Sequence, residues 1–488
     1  MITFDGSPLT LSDIVSVAHD RTPVSIAESA YKKVDAARQV VEQILAEHRV
    51  VYGVNTGFGR LSDVKISDSE LRVLQLNLVR SHAVGVGDPL SISETRAMML
   101  LRANVLATGY SGARRQVLDH LVQMLNAGCH PIVPSMGSVG ASGDLAPLAH
   151  LALAIIGEGD LWDGSPSLPG LTLEPKEGLA LLNGTQAIGA VGSLALHRAW
   201  LCAQVADLAG SMSLEAVLGT PAAFDPRIHQ ARPHPGQIAC AEHLLSLLHG
   251  SEIRESHREN DARVQDAYCL RCMPQVHGAV RDVLDHAKAV LERESGSGTD
   301  NPLVFSDSAE VISGGNFHGA PLAYVMDYAA IAMTDLLSIS ERRIDRLVNP
   351  DSNEGLPPFL TRHAGTSSGF MMAHVTVAAL LNECKVLAHP ASVDSVPTSG
   401  GKEDHVSMGM TSALKFRKIV ENVELGLSIE LLAAAEGLEF RLPLKPGRGV
   451  QRGYSKVREV CPAVLVDRSL SKDIERLALQ IQQGAFSL

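Results

Sequence analysis

The run Ser138-Val139-Gly140-Ala141-Ser142-Gly143-Asp144 sets three small residues, Ala141, Ser142 and Gly143, where the backbone can bend sharply. Gly140 and Gly143 carry no Cβ and enter left-handed conformations at little cost. A turn of this kind can react with itself. Attack of the Gly143 amide nitrogen on the Ala141 carbonyl closes a five-membered ring. Loss of water there and from the Ser142 side chain then leaves a methylidene-imidazolone, an electrophilic alkene conjugated to a carbonyl. No ordinary side chain offers that reactivity. Closure needs glycine at the third position, where a Cβ would block compression, and serine at the second, for a hydroxyl that leaves. Helix N-termini aimed at the segment would favour negative charge developing on it. Taken alone, Ala-Ser-Gly is a common tripeptide and reads first as a plain turn opening a helix, with Asp144 as N-cap and Pro147 in the first turn.

Other stretches carry reactive residue types with weaker spacing. Cys269-Leu270-Arg271-Cys272 is a lone CxxC with no second pair and no βαβ setting, which argues against zinc or redox work. Its neighbourhood is more informative, because Gln265, Tyr268 and Arg271 fall close together and an arginine can grip a carboxylate with two parallel bonds. Glu403-Asp404-His405 reads as a general-base relay, a metal half-site or a solvated helix start. Ser313 to Gly319 is a glycine-rich loop opening a helix and offering Asn316 and Phe317. Val50 to Gly59 is a β-like run breaking into glycines, but it lacks the endings that mark a phosphate cradle. His229 and His234, in a Pro- and His-containing loop from Pro226 to Gln237, match no ligand pattern and read as surface histidines.

The elements that must position these residues are mostly helical. Ile2-Thr3-Phe4 reads as a short strand. Ser25 to Glu47 reads as an amphipathic helix with Ala27, Ala30, Val34, Ala37 and Val41 on one face and a Ser25/Glu28 capping box. Helices are predicted over 93–108 and 114–127, from Leu71 up to a break at Ser81-His82-Ala83, and from about Gln186 to Gly210. Pro321 to Pro350 contains no other proline and no glycine and is apolar almost all round until Glu341. With Gly369 to Leu387 and Met408 to Glu439 it predicts a long-helix bundle. The fold class is therefore mainly α, with a mixed α/β N-terminal part carrying the Ala-Ser-Gly loop. The division expected is 1–210 for that part and 211–488 for the bundle and the C-terminal helices.

Composition narrows the function classes. The chain has 488 residues, 45% apolar and 20% charged, which suits a globular protein with a large core. A formal charge of −12 and the absence of basic runs argue against nucleic acid. Seven cysteines read as free thiols in a reducing compartment. The N-terminus lacks the pattern of a signal peptide, and charges interrupt the longest apolar stretches, so a cytoplasmic protein with no membrane span is expected.

Considered together, these pieces resemble the methylidene-imidazolone-dependent aromatic amino acid ammonia-lyases. The matching segments are 52–59, Ser81-His82-Ala83, 140–145, Leu182-Asn183-Gly184-Thr185, 265–274, 299–303, 314–319 and 403–408, in that family's order and across most of the chain. The resemblance implies that Ala141, Ser142 and Gly143 form the electrophile, with no external cofactor and no metal. It implies Tyr52 as the base that removes the β-proton, which requires a phenol shifted down from about 10. Arg271 is implied as the carboxylate clamp and Asn183 as a hydrogen-bond donor near the ring. Gln265, Tyr268, Asn316 and Phe317 would line the site. His82 and Glu403 would recognise an imidazole, since a buried carboxylate is wasted beside a phenyl ring. The implied reaction is L-histidine to trans-urocanate and ammonia, in a homotetramer. Tyrosine or phenylalanine ammonia-lyase, an aminomutase and a non-catalytic helical scaffold are the alternatives. Ala267, Cys269 and Lys402 depart from the residues common in the family.

Overall fold

Short polar side chains start several of the helices by capturing backbone amides. Thr10 and Asp13 form a reciprocal capping box before Leu11–Ala18, and Ser91 and Glu94 do the same before Ile92–Ala107. The computed structural model describes residues 1–57, 66–259, 261 and 263–487; the described atoms of Asp68 are those of its backbone. Among the described residues strands are few and pair only as three two-stranded sheets. Ile2–Phe4 runs parallel to Val24–Ile26, Val86–Pro89 antiparallel to Pro134–Met136, and Leu303–Phe305 antiparallel to Glu310–Ile312. The mainly helical class read from the sequence is the class observed.

The chain forms two compact units. The first comprises 1–195, 287–327 and 390–414, and the second 196–286, 328–389 and 415–488. Segments 287–327 and 390–414, which the division at residue 210 assigned with the bundle, thus belong with the N-terminal part. In the first unit, Ile92–Ala107 is buried from Glu94 to Ala107, so it is a core helix with no solvent face. In the second, Arg343 and Glu430 pair while wholly buried, and Ser213 and Ser340 donate to the same carboxylate. Satisfying every lone pair is what makes such a pair tolerable in a core.

Several local expectations are corrected. Ser25 does not cap a helix: it lies in the strand Val24–Ile26 with its hydroxyl 2.8 Å from that of Thr3, and the helix Glu28–Ala46 starts at Ala27 without a side-chain cap. Val50-Val51 is not a strand. The Asn55 side chain accepts from Val51 N–H at 2.9 Å and donates to Arg49 O at 2.8 Å, closing a turn in place of a ladder. Phe58 and Gly59, the end of that glycine-rich run, lie outside the described residues. The stretch after Pro226 is not a loop but two helices, Pro226–Gln230 and Pro235–Leu247, each with proline in its first turn. His229 is consequently buried, its ring bonded to Ala223 O and the Gln237 amide, whereas His234 is exposed. The helix Gln186–Ala216 does not stop at Gly210; an added Cβ there would sit 2.4 Å from Met273 Sδ, so the glycine serves close packing and not a helix end. Two helical stretches, Ala320–Val348 and Met371–Val393, are by length and composition long and apolar enough to cross a membrane, although Asp327 and Asp335 interrupt the first and Glu383 and Lys385 the second. The apolar window of the first is 67% buried within the protein, as in a core helix, and that of the second 22%.

Candidate active site

The Ala-Ser-Gly turn is held under steric pressure from several sides. Gly140 and Gly143 have φ of +66° and +74°. A Cβ on Gly143 would fall 2.1 Å from Gly184 O, and one on Gly140 would fall 2.2 Å from Ser407 Oγ. Gly319 N–H and the Ser407 hydroxyl both donate to Gly140 O, at 3.1 and 3.0 Å, and Asp144 N–H donates to Gly184 O at 2.7 Å. Only glycine fits at either position.

Helix starts converge on this turn. Leu145–Ile155 begins directly after it, and Asp144 holds the N-cap position without capping that helix through its side chain. The carboxylate instead accepts from Ser138 Oγ and from Ile188 N–H, both at 2.8 Å, in the first turn of Gln186–Ala216. Burial pushes the Asp144 carboxyl up to about 6 even though those donors pull it down.

Asn183 reaches the turn from the other side, its amide donating to Ser142 O at 3.2 Å. Its own carbonyl accepts at 2.7 Å from Arg102, which is wholly buried and also donates to Gln186 Oε1 at 2.6 Å and to Ala180 O. Burial draws the Arg102 guanidinium down to about 10. A second buried cation, Lys176, pairs with Asp300 at 2.9 Å, and the adjoining Asn301 accepts from Ser313 Oγ and Gly314 N–H at 3.1 and 2.8 Å. These two cations fix the loops around the turn.

Glu403 completes the centre. Its carboxylate accepts from Ser142 Oγ at 2.5 Å, Thr398 Oγ1 at 2.7 Å and Ser399 Oγ at 2.8 Å. Burial raises this carboxyl, but the three hydroxyls and nearby His82 outweigh it, leaving the group below its ordinary range and ionised at neutral pH. Glu403 is not at a helix start, as one reading of its sequence had it; the next helix begins at Gly409.

A cavity of about 530 Å³ opens over the turn. Of the residues singled out from sequence, Tyr52, Ala141, Ser142, Asn183, Phe317 and Glu403 line it together, while Gly143 is not in the lining. His82 ends the helix Leu71–His82, its Nδ1 2.8 Å from Leu78 O, and Asn316 is exposed and donates to Gly298 O at 3.1 Å. Gln265, Tyr268 and Arg271 belong to the second unit. There the Arg271 guanidinium lies 4.5 Å over the Tyr268 ring, and the ring is exposed. Asp404 and His405, read from sequence as part of an acid-acid-histidine trio, also line the cavity, whereas sequence reasoning gave no role to Asn301, Lys402 or His318, whose ring stacks on that of His405 at 5.8 Å. Their signal was their adjacency to the resembling segments at 299–303, 314–319 and 403–408.

Cys269 and Cys272 are free thiols. Among the described residues the group with metal-ligand proximity is Asp207, Cys240 and His277, in the second unit. Its acceptors are engaged: Asp207 takes bonds from His277 at 2.7 Å, Cys240 at 3.2 Å, His243 at 2.8 Å and Arg281 at 2.5 Å, and these partners hold it far below its usual value against burial. Arg281 and Arg343 supply the positive charge there.

A helical scaffold that presents a tightly enclosed glycine turn and an ionised carboxylate to one cavity has the equipment of a lyase. The model of the aromatic amino acid lyase family matches residues 9–459. A histidine ammonia-lyase of Koribacter versatilis is 53% identical over 98% of this chain and 97% of its own length. The crystal structure of histidine ammonia-lyase from Trypanosoma cruzi superposes with a TM-score of 0.92 at 42% identity, covering 99% of this chain and 94% of that one. Tyrosine aminomutase from Streptomyces globisporus gives 0.95 at 37% identity, covering 99% and 97%. The protein is a carbon–nitrogen lyase. It belongs to the aromatic amino acid lyase family.

Proposed function

We propose that the protein eliminates ammonia from L-histidine to give trans-urocanate, using an electrophile formed from its own Ala141, Ser142 and Gly143. The observation that carries this reading is the anchored Glu403 carboxylate 2.5 Å from the Ser142 hydroxyl. A charged group at that spot favours a substrate ring bearing N–H groups over a phenyl ring. The residues fit a ring formed there: Gly143 has no room for a Cβ, and Asn183 leaves its Oδ1 buried without a hydrogen-bond partner. A ring at these positions would supply an electrophilic alkene. Tyr52 takes the β-proton, Asn183 donates toward the charge that develops, and Glu403 with His82 orients the imidazole. Arg271 holds the substrate carboxylate, and Gln265, Tyr268, Asn316 and Phe317 shape the site. The working form is a cytoplasmic homotetramer.

Intact mass and product analysis test this reading. The purified protein is expected to weigh about 36 Da less than its translation, from loss of two waters. It is expected to release ammonia from L-histidine in preference to L-tyrosine and L-phenylalanine, with urocanate absorbance appearing in step. Ser142→Ala is expected to abolish turnover and restore the missing mass while leaving the fold. A β-amino acid without free ammonia would instead identify an aminomutase, and an unmodified wild-type mass would leave a scaffold.

A further inference from the structure

The turn from Thr398 to Glu403 brings two opposite charges to the cavity and secures only one of them. Backbone bonds close it, from Thr398 N–H to Glu403 O at 2.8 Å and from Gly401 N–H to Thr398 O at 3.0 Å. Glu403 is then fixed by three hydroxyls. Lys402, one residue before it, lines the same cavity and is exposed, and among the described residues its ammonium has no hydrogen bond or ion pair. Among the described residues it is the one lysine or arginine in that lining. Glu403 and Asp404 together would repel an anion, so Lys402 is the lining group whose charge offsets them.

The reaction changes the charge of what the cavity holds. An amino acid substrate carries a carboxylate and an ammonium. Elimination breaks the Cα–N and Cβ–H bonds and forms a double bond between Cα and Cβ; the amine leaves as ammonia and the proton passes to a base. The organic product keeps only its carboxylate. A cation at the wall therefore attracts one end of the substrate and repels the other, but meets only the attractive carboxylate on the product and no like charge. We propose that Lys402 is the product-carboxylate site, a mobile cation that makes this enzyme bind its acrylate product more tightly, relative to substrate, than the rest of the cavity would. The inference rests on the ammonia-lyase reading above. A lysine ammonium suits the role because it is a compact charge on a flexible stem that can follow a departing anion.

The test compares Lys402→Gln and Lys402→Arg with wild type, measuring the inhibition constant of trans-urocanate and the KM of L-histidine. Removing one charge a few ångströms from an anion near solvent is expected to raise the ratio of inhibition constant to KM about fivefold in Lys402→Gln. Lys402→Arg is expected to keep the wild-type ratio, and added KCl to move wild type toward the glutamine variant. An unchanged ratio in Lys402→Gln, or equal behaviour of the two variants, would overturn the proposal. Calorimetric titration of urocanate into each protein needs no turnover. A chain that failed to act on L-histidine would sink the substrate reading, while the titration would still report whether Lys402 holds an arylacrylate.

Discussion

Glu403 is held ionised by a count of partners: three hydroxyl bonds and His82 outweigh the cost of burial. A carboxyl below its ordinary range is charged through neutral pH and takes a proton only as pH falls. Its contribution to stability is therefore present above the unfolded value and lost on acidification through the lower folded value. Glu403→Gln keeps the shape and removes the charge. It is expected to lower kcat/KM for L-histidine by about 10²- to 10³-fold, the scale of losing one well-placed polar contact in the transition state. Because Gln still accepts from Ser142, intact mass should keep its deficit, which separates a binding defect from a failure to form the ring. Residues at this scale were readable where chemistry needs contiguous neighbours. Ala141, Ser142 and Gly143 must be adjacent to react, so the sequence carries them openly. Asn301 and His405 reach the cavity only after distant loops close on one another, and no local pattern encodes that closure.

At the scale of elements, long apolar helices were legible and the capping signals of shorter ones were not. Pro321 and the glycine-free run after it predicted Ala320–Val348 to within a residue of its start. The Ser25/Glu28 spacing misled because a parallel partner, Ile2–Phe4, claimed Ser25 for a strand, and tertiary pairing outweighs a cap worth about 1 kcal/mol. Asp144 is the more consequential case: it stands at one helix start while its carboxylate serves another. Being buried, it titrates at about 6 in the folded protein against 3.8 unfolded. A raised carboxyl contributes stability that is full below the unfolded value and lost as pH rises through the folded one. This one group thus costs about 3 kcal/mol between pH 4 and pH 6. Asp144→Asn removes the titration. Unfolding midpoints of wild type and variant are expected to diverge with pH across that window and run parallel outside it. A constant offset from pH 4 to pH 7 would mean that the carboxyl titrates elsewhere.

At the scale of the whole molecule, two helices carry apolar surface that one chain leaves uncovered. On Ala320–Val348 the exposed large apolar residues are Tyr324, Tyr328 and Ile331, at a helical spacing of four and three, with exposures of 58%, 51% and 47%, and the exposed Asp335 follows four residues on. On Met371–Leu387, Met372 and Val375 are 62% and 51% exposed. Single exposed apolar residues need no explanation, but a stripe on a long helix does, and an interface between copies of the chain would cover it. A membrane would cover it too, though the first helix is mostly buried among its neighbours and the chain is strongly acidic. The homotetramer is therefore expected to use these faces, and sedimentation should give about four times the chain mass of 51.9 kDa in the absence of detergent. Met372→Lys with Val375→Lys places two charges on one such face, where each would have to be desolvated on assembly. Smaller species should appear, with circular dichroism still helical. If ammonia release falls in proportion to the tetramer lost, the assembly is needed for the site to work. If it stays at the wild-type level in the smaller species, each chain carries a complete site and the clamp role given to Arg271 must be met within one copy.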